Sequence, residues 1–424
     1  MAAPTQPRGP SPALRLLSGG GRVVTSRPRL VASGLRHRVR GRSAWALWPD
    51  AAEPIQGVDV AAGETSAFMR REFGVPPASR RALVDALRRR LGPSSWDLAR
   101  AGALLEPAGE GLAARAARSV LGPPADDMRI ALFSPSGSPL AKAVCFVLEP
   151  GREEPAAVVL ATADPRRSGR LRDETDVVER VRERLEGAPD VAAALPRAPL
   201  GRHEEDGDFA VVVAPDPLAS RTGDVVEPDR ERAWRWLSSF RAATTVRSER
   251  WSADDTERVV KAVREAWSLL PEAGAAGERG AALAASRLAS VDGADLPVCA
   301  VHGDFWRGNV AHDETTLRVF DWEWARLEGG PLFDLWTYEL SDAQFECHRP
   351  RAELAERLRA ARRRVERELE NGGLAPQLAA AALPGAVAEL ILRPRRATGS
   401  PGAAEPGLLL LLGPVEDVLE AASP

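Results

Sequence analysis

The 424-residue chain carries 57 basic and 60 acidic side chains for a formal net charge of -3, a balance that supports no polyanionic partner and sets nucleic acid aside. Its three cysteines, Cys145, Cys299 and Cys347, are far apart and lack CxxC spacing, so neither a disulfide framework nor a zinc site is indicated and a reducing cytoplasm is expected. The length allows two or three domains, or one two-part enzyme with an extra segment, while the apolar run Leu408 to Leu412 is far below the roughly 20 residues of a membrane helix, so a soluble protein with no membrane partner is expected.

Residues 1 to 49 mix Pro, Gly, Ser and Arg, with no acidic side chain before Asp50. They lack a lasting hydrophobic period and are read as a disordered Arg-rich arm, although an acid-poor, Arg-rich start also resembles an organelle transit peptide. Of the basic residues only Lys142 and Lys261 are lysines, so the abundance of Arg reflects compositional bias rather than a nucleic-acid surface. Residues 50 to 125 are read as a helical extension. Leu83 and Leu87 stand one turn apart behind a capping Ser79, and a second helix is expected over Gly111 to Leu121.

From Met128 the pattern changes to strands: Arg129 to Phe133, Ala143 to Leu148 and Ala156 to Leu160, joined by short turns and therefore antiparallel. A helix follows from about Ser168 to Leu185, with Leu171, Val178, Val181 and Leu185 on one side, and then a strand from Phe209 to Val213. Residues 126 to 215 thus form a small sheet-based part. Residues 216 to 424 form a larger, mostly helical part, in which Trp234, Leu237 and Phe240 share a buried face, a long helix runs from Asp254 to Leu270, and charged helices lead to a Pro/Gly-rich tail. The fold class is α+β.

The chemistry concentrates in Val301-His302-Gly303-Asp304-Phe305-Trp306-Arg307-Gly308-Asn309-Val310 and in Val319-Phe320-Asp321-Trp322-Glu323-Trp324. An Asp, an Asn five residues on and a second Asp twelve beyond that is the spacing phosphoryl transfer needs, with Asn309 and Asp321 on Mg²⁺ and Asp304 receiving the acceptor's proton. Mg²⁺ is a hard cation that takes oxygen ligands, which one Asn carbonyl, one Asp carboxylate and nucleotide phosphates can provide. Asp321 is expected to end a hairpin strand whose turn is His312 to Thr316.

His302-Gly303-Asp304 with Asn309, Asp321-Trp322-Glu323 and Pro331-Leu332-Phe333-Asp334-Leu335 resemble the aminoglycoside phosphotransferase and choline kinase family. The likeness covers roughly residues 126 to 345. It implies a bilobal protein-kinase-like fold with a small antiparallel-sheet lobe and a helical lobe, ATP or GTP with Mg²⁺ as cofactors, and a small-molecule acceptor. It makes Asp304 the catalytic base and Asn309 and Asp321 metal ligands. Glu323 is an accessory residue that assists a second metal or hydrogen-bonds the loop, His302 fixes the loop or carries a proton, and Asp334 braces the loop from a helix start.

The family's strand lysine is missing from Val158 to Asp164, and Leu160 stands in its place. Its expected partner Glu174 is present, and Lys142, just after the Ser136-Gly137 turn that would cover the phosphates, is expected to take over phosphate contact. The expected activity is ATP-dependent transfer of the γ-phosphate to a hydroxyl of a sugar, an amino alcohol or an aminoglycoside-like compound. The alternative is a pseudokinase or nucleotide-binding regulatory module without turnover. Oligomeric state and acceptor identity stay open at this level.

Overall fold

The computed structural model describes residues 21–25, 45–48, 56–59, 103–107, 111–122, 128–133, 142–152, 154–162, 165–215, 227–270, 273–312, 317–330, 332–345, 349–398 and 406–421. They form two compact units, one of residues 1–173 and 197–218 and the other of residues 174–196 and 219–424.

The first unit is an antiparallel sheet of nine strands: β1 (Gly21–Thr25), β2 (Trp45–Trp48), β3 (Gln56–Asp59), β4 (Ala103–Pro107), β5 (Arg129–Phe133), β6 (Ala143–Leu148), β7 (Pro155–Thr162), β8 (Pro199–Glu205) and β9 (Asp208–Val213). Their order across the sheet is β1-β4-β2-β3-β5-β6-β7-β9-β8. Side chains alternate between the two faces, and the burial follows that alternation. Ile130, Leu132, Cys145, Val147, Val159, Ala161 and Val212 pack with Leu112, Ala113, Ala116 and Ala117 of helix α1 (Leu112–Leu121). On the opposite face Leu160, Phe209, Val211 and Val213 pack with Leu171 of α2 (Pro165–Arg184). The β8–β9 hairpin turns at Asp206 and Gly207, whose φ values of 50° and 84° match an Asp-Gly turn of the type that suits a twisted hairpin.

Two expectations for the N-terminal region need correction. The arm expected to be disordered contributes β1 and β2, and the extension expected to be helical contributes β3 and β4 before α1. The reason is edge completion: β3 pairs with β5, Gly57 opposite Leu132, so groups that would otherwise face outward along β5 find partners in residues too short a run to show a strand period. The helix expected around Leu83 and Leu87 lies outside the described residues.

The second unit is mostly helical. Its helices are α3 (Pro189–Ala192), α4 (Glu227–Thr244), α5 (Ala253–Trp267), α6 (Ala273–Ala289), α7 (Leu332–Phe345), α8 (Arg351–Asn371), α9 (Gln377–Thr398), α10 (Pro406–Leu409) and α11 (Leu412–Glu420). A small sheet, β10 (Arg247–Arg250), β11 (Asp295–Val301) and β14 (Arg326–Gly329), and a hairpin, β12 (Val310–His312) with β13 (Leu317–Val319), complete it. Helix α5 starts at a reciprocal capping box between Ser252 and Asp255. Trp234, Leu237 and Phe240 are buried as expected, and Phe240 meets the Trp322 ring edge-on at 5.8 Å. At the C-terminal end, α10 and α11, with Leu411 between them, bury Leu408, Leu411, Leu412, Val415 and Val418 in the main core. No helix among the described residues is long and apolar enough to cross a membrane.

Candidate functional site

Strand β11 delivers the His302-Gly303-Asp304 stretch from the core, since Val298, Cys299, Ala300 and Val301 are all buried. At its end the chain turns through Gly303, whose φ is 78°. A β-carbon there would lie 2.2 Å from the Trp324 carbonyl oxygen, so the close approach of the two loops requires glycine.

The turn is held from α7. Asp334, in the first turn of that helix, accepts the His302 N–H at 2.7 Å and the Gly303 N–H at 2.8 Å, one on each carboxylate oxygen. Burial pushes its carboxyl up to about 6, against the opposing pull of the two backbone donors and of Arg393. His302 is fully buried. Its Nδ1 accepts the Asp304 N–H at 3.2 Å, and its Nε2 lies 2.9 Å from the Phe320 carbonyl oxygen. An acceptor on one side and a carbonyl on the other assign the neutral Nε2–H tautomer. His302 therefore ties the loop to the hairpin, and its ring also packs edge-on to Trp322 at 4.6 Å.

Asp304 is engaged on both oxygens. Asn309 Nδ2 donates to Oδ2 at 3.0 Å and to the Asp304 backbone carbonyl at 3.0 Å, and Arg393 Nη1 donates to Oδ1 at 2.6 Å. Its carboxyl is raised to about 6, chiefly by burial, with Arg393 lowering it and the negative charges of Asp321 and Glu323 raising it further. With its amide nitrogen spent on Asp304, Asn309 keeps its side-chain carbonyl as an oxygen donor. It is buried, and its turn is closed by its own N–H to the Trp306 carbonyl at 2.9 Å.

The hairpin brings the second carboxylate to the same place. The Asn309 backbone carbonyl accepts the Phe320 N–H at 2.8 Å, so the loop and the residue before Asp321 are stitched together. Asp321 sits at φ 62°, in the left-handed region that Asp tolerates better than most side chains and that functional loops often hold. The next backbone N–H, of Trp322, donates to Glu174 Oε1 at 3.2 Å. Glu323 accepts from the Trp324 indole at 2.9 Å.

The structure thus gathers His302, Asp304, Asn309, Asp321 and Glu323, with Asp334 as the brace. Glu174, expected beside a phosphate-binding lysine, stands instead under the Asp321 loop. Lys142 lies at the entry to β6, two residues before Val144, whose register partner on β7 is Leu160. That spacing puts Lys142 on the Leu160 face of the sheet, the side away from α1. Ser136 and Gly137 lie outside the described residues. No group of three or more His, Cys, Asp or Glu able to hold a metal is found among the described residues. The donor set that fits Mg²⁺ is the Asn309 side-chain carbonyl with the Asp321 carboxylate, both hard oxygens, leaving further positions to phosphate oxygen and water.

Sequence reading missed Arg393. It is buried on α9, donates also to the Gly303 carbonyl, and lies over the Trp324 ring at 4.8 Å and the Phe333 ring at 5.4 Å. The signal was present in the helical period: Arg393 continues the stripe of Ala386 and Leu390, and a charge on a core-facing stripe demands a buried partner.

No protein-family model matches the chain, and no curated protein matches it. Among solved structures the chain is similar to a glucosamine kinase in complex with glucosamine, ADP and inorganic phosphate, at 18% identity and a TM-score of 0.39, over 76% of this chain and 85% of that one. It is similar to a thermostable mutant of the aminoglycoside phosphotransferase APH(4)-Ia in a ternary complex with ADP and hygromycin B, at 14% identity and a TM-score of 0.39, over 70% and 92%. A third is the aminoglycoside phosphotransferase APH(3'')-Id from Streptomyces rimosus, at 15% identity and a TM-score of 0.34, over 63% and 95%. The chemistry assigned to this chain rests on its own residues.

Proposed function

We propose that the chain is a small-molecule kinase that transfers the γ-phosphoryl group of a nucleoside triphosphate, ATP or GTP, to a hydroxyl of a small acceptor such as a sugar, an amino alcohol or an aminoglycoside-like compound. The observation that carries this is the convergence of Asp304, Asn309 and Asp321 on one loop and hairpin, with the Asp304 carboxylate oriented through both oxygens.

In this reading Asp304 orients the acceptor hydroxyl and takes its proton at a carboxylate oxygen as the acceptor oxygen bonds to phosphorus and the bond from phosphorus to the leaving diphosphate oxygen breaks. Asn309 fixes the Asp304 rotamer through its amide nitrogen and offers its carbonyl to Mg²⁺ together with Asp321. The ion, when bound, neutralises charge on the phosphates. Glu174 holds the backbone beside Asp321, and His302 and Asp334 hold the backbone on the other side of Asp304. Lys142 is the proposed phosphate-contacting cation in place of a lysine on β7, supported by its position on the Leu160 face.

The test is consumption of ATP or GTP against a library of hydroxyl-bearing metabolites, in the wild type and in Asp304→Ala. Acceptor-dependent turnover in the wild type alone is expected, and none with any acceptor would remove the assignment. One observation favours a second reading, a nucleotide-binding module without turnover: the apolar Leu160 on β7. Magnesium-dependent stabilisation by ATP with no turnover in the wild type would select it.

A further inference from the structure

Helices α4 and α8 would be expected to meet through apolar side chains, yet over one stretch each turns a polar face to a groove of about 350 Å³. Arg230, Trp234 and Arg235 line it from α4, and Arg364, Arg367 and Asn371 line it from α8. The spacings are those of one helical face in each case. The volume is at the lower end of what small-molecule sites occupy.

The wall of the groove is built around a buried charge. Glu339 on α7 has a side chain only 1% exposed. It accepts the Trp234 indole N–H at 3.1 Å, Arg364 Nε at 3.0 Å and Arg230 Nη1 at 3.4 Å, with a further bond from Arg364 Nη2. One carboxylate thus fixes two guanidinium groups and leaves a net positive charge on that wall. Two more guanidinium groups, those of Arg235 and Arg367, are exposed and have no ion-pair partner among the described residues. Two glutamates, Glu231 and Glu368, also line the groove, and Glu368 faces Arg241 at 4.0 Å. Four arginines against Glu231, Glu368 and the buried Glu339 leave the groove a net positive charge of one, and their planar forks match the oxygens of phosphate and carboxylate.

We propose that this groove is a second ligand site, which binds a small organic phosphate or carboxylate between Arg235 and Arg367 and the fixed pair Arg230 and Arg364. Its binding does not depend on the phosphotransferase reading. Its consequence for the candidate active site runs through α7, because Glu339 and Asp334 belong to the same helix and Asp334 orients the His302-Gly303 turn. The site is therefore regulatory in that reading: an occupant draws on the arginines that hold Glu339 and so acts on the helix that positions the loop.

The test uses the full-length protein, titrated calorimetrically with glycerol 3-phosphate and with succinate, and with potassium chloride at matched ionic strength. Saturable binding of at least one organic anion is expected in the wild type, weakened tenfold or more in the double variant Arg235→Glu with Arg367→Glu. Which of the two anions binds separates phosphate from carboxylate recognition. Both substituted side chains are exposed, and the charge-neutral pair Arg235→Gln with Arg367→Gln serves as a second variant, expected to weaken binding in the same direction. Binding of neither anion, a response that chloride reproduces, or equal affinity in the wild type and the variants would overturn the proposal. Equal affinity would place the anion elsewhere, the candidate active site included.

Discussion

Asp304 is the side chain on which the proposed chemistry turns, and its surroundings make specific demands. Replacing it with Ala is expected to lower acceptor-dependent turnover by roughly two to four orders of magnitude, the usual contribution of a positioned acid or base, while nucleotide binding persists. The ionised form is the active one, and its carboxyl is raised to about 6. Activity should therefore be complete above that pH and fall as pH drops through it, about tenfold per unit on the acid side. A limb near the ordinary carboxylate value of 3.8, measured as kcat/KM against pH, would contradict the burial argument. Gly303→Ala places a methyl group 2.2 Å from a backbone oxygen at a φ of 78°, so it should lower the thermal midpoint and turnover together. At this scale Asp304, Asn309 and Asp321 were legible because their spacing is local. Arg393 was not, since 89 residues separate it from the carboxylate it holds and only the packing of α9 closes that interval.

Helix α7 carries two buried carboxylates with different duties, and each can be broken separately. Asp334→Asn should orphan one of two buried backbone N–H groups, costing about 1–3 kcal/mol of stability and disordering the His302-Gly303 turn. Equilibrium unfolding together with turnover reads both effects, and an unchanged stability would show that the turn does not depend on that contact. Glu339→Gln leaves Arg230 and Arg364 around a neutral amide, and breaking a buried pair of this kind costs about 3–5 kcal/mol. The helix itself was foreseeable from Pro331 and the apolar run after it, and Asp334 was read as a brace. Glu339 was not singled out, because in the sequence it is one more acidic residue on a helix. Its significance lies in arginines from α4 and α8 that only packing brings to it.

Across the whole chain, ATP with Mg²⁺ at about a hundred times its dissociation constant should stabilise the protein by about 2.7 kcal/mol, and EDTA should remove that gain. Equal stabilisation with and without the metal would argue against Asn309 and Asp321 as its ligands. The division into a sheet-based unit and a helical unit was readable from the change of period, two residues from Met128 and three to four from Arg230, because alternation and helical stripes are written in neighbouring residues. The closeness of His302-Gly303-Asp304, Asn309 and Asp321 was readable for the same reason, and the roles given to them belong to the proposal. The strands before α1, the burial of α10 and α11, the place of Glu174 under Asp321 and the grip of Arg393 on Asp304 were decided by the tertiary structure alone. Each depends on which distant segment supplies a hydrogen-bond partner or an apolar surface, and a linear period contains no information about that choice.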